Sequence, residues 1–302
     1  MKLKYIIKEN DTYSSVNSVL NNCYKISTNL RLKLIKNKCI EKNGVICDSR
    51  DSVSVGDIVT IKFNYEEESE NIIPKKMELD IVFEDEWILV VNKPAGIAVH
   101  PSILHYENSL SNGIKHYYNS IGLKKKIRPV NRLDKNTSGL VLFAKCEYIQ
   151  EKLIEQMQDG TFKKEYLALV EGILENKKGI INLPIARKQG SIIERCIDKN
   201  GKKAITHYEV LKEYKEYSLV KCMLETGRTH QIRVHFSAIG HPLLGDELYG
   251  RSSNIISRQA LHCYYLGFIH PVNKKDIILE IGGLIDEERY FLAVKKKEII
   301  KR

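Results

Sequence analysis

The chain has 302 residues, 43% of them hydrophobic and 28% charged, which is typical of a globular protein with room for two domains. The formal net charge of +10 favours a polyanionic partner such as nucleic acid, although a lysine-rich surface alone would explain it. Seven cysteines without a C-x-x-C pair argue against a disulfide framework or zinc ribbon. With no long apolar run or signal core, we expect a cytoplasmic protein that is neither secreted nor inserted in a membrane.

The N-terminal part predicts a helix over residues 28–35, a hairpin turn at Asn43-Gly44 and a strand over residues 58–63. Its cations outnumber its acids between positions 31 and 42. Such a patch could bind phosphates, but for this segment taken alone an ordinary solvated helix face is the simpler interpretation. The acidic, non-periodic residues 65–71 then predict a linker, which divides the chain into domains at residues 1–72 and 73–302.

Residues 34–44 (LIKNKCIEKNG) carry a basic helix followed by a short hairpin that ends in Asn-Gly. This pattern resembles the S4-type RNA-binding module. The glycine usual near position 38 is missing, and a lysine stands at position 42 where an apolar residue is usual. The resemblance implies that Arg31, Lys33, Lys36 and Lys38 contact RNA.

The larger part mixes strands and helices without regular βαβ alternation, which predicts an α+β fold. The first predicted strand covers residues 79–83. The second covers residues 88–94, is broken at Pro94-Ala95-Gly96 and resumes over residues 97–99. Later elements are a strand over 139–144, a helix over 148–157 ended by Asp159-Gly160, and a strand over 164–170.

Two polar segments carry candidate chemistry. In residues 132–139 (RLDKNTSG), Asp134 follows an arginine and precedes small hydroxyl residues. This suits nucleophilic chemistry, although a turn capped by Asp134 is the simpler interpretation. In residues 227–235 (GRTHQIRVH), Thr229 is predicted to cap a helix that ends near Gly240 and Pro242. Its two arginines and two histidines would attract anions, and an ordinary cationic surface is the alternative.

Both segments belong to an ordered set that resembles the RluA/RluD-type pseudouridine synthases, over roughly residues 78 to 285. The matching segments are residues 85–96 (DEWILVVNKPAG) with 99–102 (VHPS), 132–140 (RLDKNTSGL), 164–172 (KEYLALVEG), 201–208 (GKKAITHY), 227–235 with 240–246 (GHPLLGD), and 258–262 (RQALH) with His270-Pro271.

The resemblance implies a pseudouridine synthase fold, with a mixed, mainly antiparallel central sheet flanked by helices and loops. It also implies isomerisation of uridine in RNA to pseudouridine, with no cofactor or metal and with RNA as the partner. We expect a monomer.

By the same resemblance Asp134 is the catalytic nucleophile, Arg233 the arginine that pairs with it and Tyr166 the active-site aromatic. Arg132 would enter the space left by a flipped nucleotide, and Leu140 would line the pocket. Lys164, Arg228 and His230 complete the expected substrate contacts. The family commonly has histidine where this chain has Asn131. Whether Asp134 attacks the base or the ribose stays open.

An S4-like module before such a domain is the arrangement of the RluD-like branch, which favours large-subunit (23S) ribosomal RNA as the target. The alternatives are a synthase that acts on transfer RNA and a non-catalytic RNA-binding factor in ribosome assembly. A nucleotide or glycoside hydrolase is disfavoured because a second catalytic carboxylate is missing from the motifs.

Overall fold

The computed structural model describes residues 1–101 and 106–283, together with the backbone of residues 297–300. Ser102 of the opening motif and residues 284–285 lie outside this part. No helix within it combines the length and the apolar character needed to cross a membrane.

Seventeen strands and five α-helices make up the described part of the chain. The strands are β1 (Lys2–Ile6), β2 (Ile40–Lys42), β3 (Val45–Ile46), β4 (Ile58–Lys62), β5 (Asp80–Glu84), β6 (Ile88–Lys93), β7 (Arg128–Pro129), β8 (Ser138–Ala144), β9 (Lys163–Glu171), β10 (Lys178–Asn182), β11 (Ile185–Arg187), β12 (Arg195–Ile197), β13 (Ile205–Glu213), β14 (Tyr217–Leu224), β15 (Leu261–Ile269), β16 (Asp276–Glu280) and β17 (Lys297–Ile300). The helices are α1 (Val16–Ser18), continued by a π-helical turn (Val19–Cys23), α2 (Thr28–Lys36), α3 (Leu110–Ser120), α4 (Glu147–Asp159) and α5 (Gln231–Ala238).

The N-terminal part is a four-stranded antiparallel sheet in the order β1-β4-β2-β3, with α1 and α2 beside it. The predicted helix is confirmed as α2, whose N-cap Ser27 accepts a hydrogen bond from the Leu30 N–H at 3.3 Å. The predicted hairpin is confirmed as well, because Asn43 and Gly44 have φ values of 52° and 84° between β2 and β3. Positive φ at both central positions is what a two-residue hairpin turn requires.

The acidic stretch at residues 65–71 forms neither helix nor strand, but it is packed rather than loose. Tyr65 is 9% exposed and Glu67 is 6% exposed. Glu67 Oε1 accepts from Lys33 Nζ at 2.5 Å and from Arg128 Nη2 at 2.6 Å. Burial raises the pKa of Glu67, but these two cations outweigh it and lower the pKa overall. The expectation of a free linker was therefore wrong, because a buried carboxylate anchors the segment to both parts of the chain.

Apolar packing joins the same two parts. Their buried side chains form one continuous hydrophobic cluster that runs from Leu3 to Ile281. At the junction the ring of Phe63 stacks on Tyr148 of α4 with centroids 5.8 Å apart, and it meets Trp87 edge-on at 6.0 Å. We therefore expect the N-terminal part to move with the larger part as one body.

The large sheet has the order β10-β13-β14-β9-β15-β8-β6-β5, with β16 on β15, β17 on β16 and β7 on β8. Among the recorded pairs only β15 and β8 run parallel, so the expected mixed, mainly antiparallel α+β fold is confirmed. The predicted strand over residues 97–99 was wrong. Gly96 has φ +89° and turns the chain, which leaves an isolated bridge between Ala98 and Ser109.

A close approach at Gly139 brings the loop that carries Asp134 to the middle of this sheet. Gly139 has φ +117°, and a Cβ there would lie 2.3 Å from the carbonyl oxygen of Cys263. Only glycine permits this contact. Cys263 in turn lies opposite Tyr166 of β9. The start of β8, and the loop before it, are thus held beside Tyr166.

Candidate active site

A wide cleft of about 1130 Å³ opens over the start of β9, and it exceeds the roughly 300–1,000 Å³ of most small-ligand pockets. Its walls are residues 130–134, 157–160, 162–166, 207 and 223–229. A smaller cavity of about 70 Å³ is lined by Asp134, Tyr166, His230 and Arg233 among others. A wide cleft beside a small cavity suits a polymer segment that lies in the cleft and places one of its monomers in the cavity.

A buried lysine ties the loop that carries Asp134. The loop turns at Asp134, whose carbonyl accepts from the Thr137 N–H at 3.1 Å. Lys93, 0% exposed, donates to the carbonyls of Pro94, Ile97 and Lys135 at 2.8, 2.9 and 3.0 Å. Burial, aided by Arg258, lowers the pKa of Lys93 to about 7. Its three acceptors match the three donors of an ammonium group and hold the opening motif against this loop.

Asn131, at the position of the family histidine, acts as a strand partner. It is 4% exposed. Its Nδ2 donates to the Leu140 carbonyl at 2.9 Å, and its Oδ1 accepts from the Leu142 N–H at 2.8 Å. The Asn131 amide, which lies just before the loop that carries Asp134, therefore bonds one backbone acceptor and one backbone donor of β8, the strand after that loop. This two-sided bond is available to an amide, which carries both a donor and an acceptor.

We expect Asn131→Ala to lower the free energy of unfolding by about 1–3 kcal/mol, because a buried N–H and a buried C=O lose their partners. Urea denaturation followed by circular dichroism measures the change. Asn37→Ala is the matched control, since Asn37 makes an exposed bond to the Lys33 carbonyl. Equal stability of the wild type and the Asn131 variant would contradict the assignment.

Arg233 on α5 has two acidic partners of unequal strength. Its Nε and Nη2 both donate to Asp246 at 2.7 Å, whereas its Nη1 lies 3.3 Å from Oδ2 of Asp134. Asp246, which is 1% exposed, is therefore the bidentate partner of Arg233, and Asp134 makes the weaker contact. Burial disfavours the charge on Arg233, but the bonds to Asp246 and then Asp134 raise its pKa.

Helix α5 begins one residue later than a cap at Thr229 would place it. The N-cap is His230, with φ +59° and no side-chain cap bond. The N–H of Gln231, which a Thr229 cap could have bonded, donates to the Arg228 carbonyl at 3.1 Å instead. The side-chain Oε1 of Gln231 accepts from the Arg228 N–H at 3.0 Å and from Thr226 Oγ1 at 2.8 Å. The left-handed backbone at His230 places its Nε2 at 3.8 Å from Oδ2 of Asp134.

Tyr166 and Lys164 share one face of β9 and line the cleft. Tyr166 is 6% exposed. Burial, followed by the neighbouring Cys263 and Asp134, raises the pKa of Tyr166 well above its usual value. The phenol therefore stays protonated at neutral pH. Burial also lowers the pKa of Lys164, so this cation stands at the floor of the cleft in a partly desolvated position.

The remaining predicted contacts are placed unevenly. Arg132 and Arg228 are exposed and line both the cleft and the smaller cavity. Leu140 is fully buried in β8 and is absent from the described linings of both. In the N-terminal part Lys36 and Lys38 are exposed, and Arg31 donates to Asn17 and Asn21. The ammonium of Lys33 is held by Glu67 and Glu147.

Sequence reasoning missed three residues of the site: Lys93, Asp246 and Tyr249. Lys93 ends an apolar strand, and Asp246 is the acid of the segment GHPLLGD. A charged residue directly beside an apolar run could have identified both from the sequence. Tyr249 carried none. Its hydroxyl lies 2.7 Å from His230 Nδ1, and its ring lies 5.0 Å from the Arg233 guanidinium. Only the folded chain brings it there.

Comparison with solved structures identifies the fold as that of pseudouridine synthases. Human RNA pseudouridylate synthase domain containing 1 is similar with a TM-score of 0.56 and 28% identity, over 68% of this chain and 83% of that one. Human RNA pseudouridylate synthase domain containing 4 has a TM-score of 0.54 and 23% identity, over 67% of this chain and 87% of that one.

Sequence comparison leads to the same class. The RNA pseudouridylate synthase model matches residues 87–238. The uncharacterized RNA pseudouridine synthase YhcT of Bacillus subtilis (strain 168) is 39% identical over 92% of both chains. Ribosomal large subunit pseudouridine synthase D of Zymomonas mobilis is 43% identical over 68% of this chain and 69% of its own. This chain therefore belongs to the RNA pseudouridylate synthase family, whose members are isomerases that modify RNA.

Proposed function

We propose that this enzyme converts uridines of large-subunit ribosomal RNA to pseudouridine, with Asp134 as the nucleophile. One observation carries the proposal: the Asp134 carboxylate, 27% exposed, lies in a cavity with Tyr166 while Arg233 contacts it at 3.3 Å. A carboxylate that is held by a guanidinium, and still reachable from a cleft of polymer size, can attack a carbon of the substrate.

The reaction conserves every atom of the nucleotide. The N1–C1′ bond breaks, the uracil turns, a C5–C1′ bond forms, and the proton on C5 is lost while N1 gains one. Because nothing is oxidised and no group is donated, Asp134, Arg233 and Tyr166 can carry the chemistry. The high pKa of Tyr166 suits a hydroxyl that donates a hydrogen bond to the substrate rather than accepts its proton.

The target uridine must leave its stack to reach Asp134, which costs a few kcal/mol. Stacking on the Tyr166 ring, worth about 1–3 kcal/mol, and phosphate contacts offset this cost. Arg132 and Arg228 line both cavities and are the proposed phosphate ligands. Alternatively, Arg132 occupies the space that the flipped uridine leaves in the RNA base stack. Lys164 and His230 are the proposed inner contacts. Leu140 supports β8 from the core.

Two features favour ribosomal RNA. Several similar proteins are named ribosomal large subunit pseudouridine synthase D. The N-terminal sheet and α2 also suit an S4-like RNA-binding module at residues 1–72, ahead of a catalytic domain at 73–302. Among the predicted RNA contacts of this module, Lys36 and Lys38 are exposed. Lys33 is not proposed as a contact because two carboxylates already hold its ammonium group. We place the activity in the cytoplasm, with the protein as a monomer.

Mapping of pseudouridine in cells with and without the gene tests the target. Carbodiimide labelling and primer extension of ribosomal and transfer RNA should reveal uridines of the large subunit that lose modification on deletion. They should regain it with the wild-type gene but not with Asp134→Asn. Loss confined to transfer RNA would assign the other substrate class.

We expect the double change Lys36→Ala and Lys38→Ala to reduce the salt dependence of RNA binding. Two lost phosphate contacts should lower the slope of log K against log salt by roughly 1.4–1.8, without a change in the single-turnover rate. Filter binding over a salt series measures the slope. The control Lys177→Ala with Lys178→Ala removes two charges that already pair with Glu213 and Glu209. An unchanged slope for the first variant would remove α2 from the RNA surface.

A further inference from the structure

Tyr249 links Asp134 to the β11–β12 hairpin through a chain of hydrogen bonds. The backbone N–H of Arg195 donates to the Tyr249 hydroxyl oxygen at 2.8 Å. The same hydroxyl lies 2.7 Å from His230 Nδ1. His230 Nε2 lies 3.8 Å from Oδ2 of Asp134. The roles proposed above for the site use neither Tyr249 nor the protonation state of this imidazole.

These hydrogen bonds favour one position for the proton on the His230 imidazole. A backbone N–H can only donate, so the Tyr249 oxygen accepts from Arg195 and its own proton remains free to donate. His230 Nδ1, at 2.7 Å, can accept that proton, and this arrangement favours an Nδ1 without hydrogen because the hydroxyl then uses both its oxygen and its proton. A neutral imidazole with a bare Nδ1 carries its proton on Nε2. The N–H therefore points toward Asp134.

The opposite tautomer would place a nitrogen lone pair before a carboxylate oxygen, and the two would repel. With the proton on Nε2, the contact is attractive. The present 3.8 Å separation is longer than a hydrogen bond, and such contacts commonly shorten when substrate closes a site. In the described part of the chain, both recorded contacts of the Asp134 carboxylate go to Oδ2, which leaves Oδ1 to attack.

We propose that Tyr249 is a positioning residue that fixes neutral His230 with its proton on Nε2, so that this N–H and Arg233 together hold Oδ2 of Asp134. This rests on the proposed role of Asp134 and adds a second donor to it. It also links the β11–β12 hairpin to Asp134 indirectly, through the side chains of Tyr249 and His230.

The groups around His230 favour the neutral ring. Burial lowers its pKa, and Arg233 and Arg195 act in the same direction. Asp134 and Asp246 oppose them, but the net shift is downward. Tyr249 faces Nδ1 as a neutral phenol, because burial raises its pKa. A charged imidazole beside two arginines is thus disfavoured at neutral pH. The tautomer of the neutral ring then decides whether His230 Nε2 attracts or repels the Asp134 carboxylate.

Nitrogen-15 NMR of the full-length protein, labelled at histidine, tests the tautomer without any turnover. The His230 signals, assigned by their loss in His230→Asn, should show a protonated Nε2 and a bare Nδ1 near pH 7. Asparagine is chosen because it tolerates the left-handed backbone and is too short to keep the Nε2 contact. Tyr249→Phe should mix the two tautomers. A wild-type signal from Nδ1–H or from a charged ring would overturn the proposal.

Single-turnover kinetics supply the second measurement. Tyr249→Phe keeps the ring beside Arg233 and should slow isomerisation about tenfold with unchanged RNA affinity. It should cause no further loss in the His230→Asn background, since Tyr249 acts through His230. Tyr117→Phe, which removes a hydroxyl bonded to Glu84 at 2.6 Å, is the control and should keep the wild-type rate. Additive losses, or an unchanged rate for Tyr249→Phe, would overturn the proposal.

The two proposals fail in different ways. Full activity of Asp134→Asn would remove the nucleophile whatever the state of His230. An incorrect tautomer, with Asp134 still essential, would remove only the role of Tyr249.

Discussion

Asp134→Asn is expected to abolish pseudouridine formation, with a loss on the order of 10⁴-fold or more in the single-turnover rate. The amide keeps the size of the side chain and can still contact Arg233. It lacks the negative charge that attacks a carbon, so the bond to the substrate cannot form. Tritium release from RNA labelled at C5 of uridine measures the rate.

The same variant should retain its fold and its RNA affinity. The Asp134 side chain is 27% exposed and makes one contact at 3.3 Å with Arg233, so its charge contributes little to stability. Thermal unfolding and filter binding should therefore match the wild type. Tritium release at the wild-type rate would exclude Asp134 as the nucleophile, and a collapse of both fold and affinity would make the lost activity a folding effect.

Asp246→Asn is expected to lower both activity and stability. It breaks the charged pair that makes the two 2.7 Å bonds to Arg233 and leaves the buried guanidinium with only the weaker contact to Asp134 at 3.3 Å. Loss of one member of a buried ion pair costs about 3–5 kcal/mol. A guanidinium displaced by about 1 Å can reduce the rate by about a hundredfold. Urea denaturation and tritium release at a temperature where the variant is folded measure the two effects.

Arg251→Gln is the matched control for this change. It removes an arginine–carboxylate bond of 3.0 Å to Glu171, but the arginine is 78% exposed. Exposed pairs contribute about 0–1 kcal/mol, so its stability should stay near that of the wild type. If Asp246→Asn were as stable and as fast as this control, the Arg233–Asp246 pair would have no positioning role.

The local elements were predictable from the sequence where periodicity and turn chemistry agreed. Helix α4 follows its apolar spacing and ends at Gly160 with φ +78°, as the Asp159-Gly160 signal indicated. The error at Thr229 has a physical cause. The Gln231 N–H, which a threonine cap at position 229 could have bonded, donates to the Arg228 carbonyl, and the left-handed backbone at His230 starts the helix one residue later.

The linker interpretation of residues 65–71 failed for a different reason. An acidic run without periodicity is usually solvated, and nothing in the local sequence marks one of its glutamates for burial. The ammonium of Lys33 and the guanidinium of Arg128 arrive from positions 34 residues before and 61 residues after Glu67. Their charges compensate the desolvation of the carboxylate, which only the assembled fold permits.

The sequence by itself determined the class of the protein, because the order and composition of its polar segments place Asp134, Tyr166 and Arg233 in one family pattern. It also indicated several helices and strands, among them α2, α4, β4, β8 and β9, since apolar period and turn residues act over a few positions. The tertiary structure alone decided which carboxylate clamps Arg233, which hydroxyl faces His230 and which lysine ties the loop. Those contacts join residues 13 to 42 positions apart in the sequence, and contacts over such separations are set by packing rather than by local pattern.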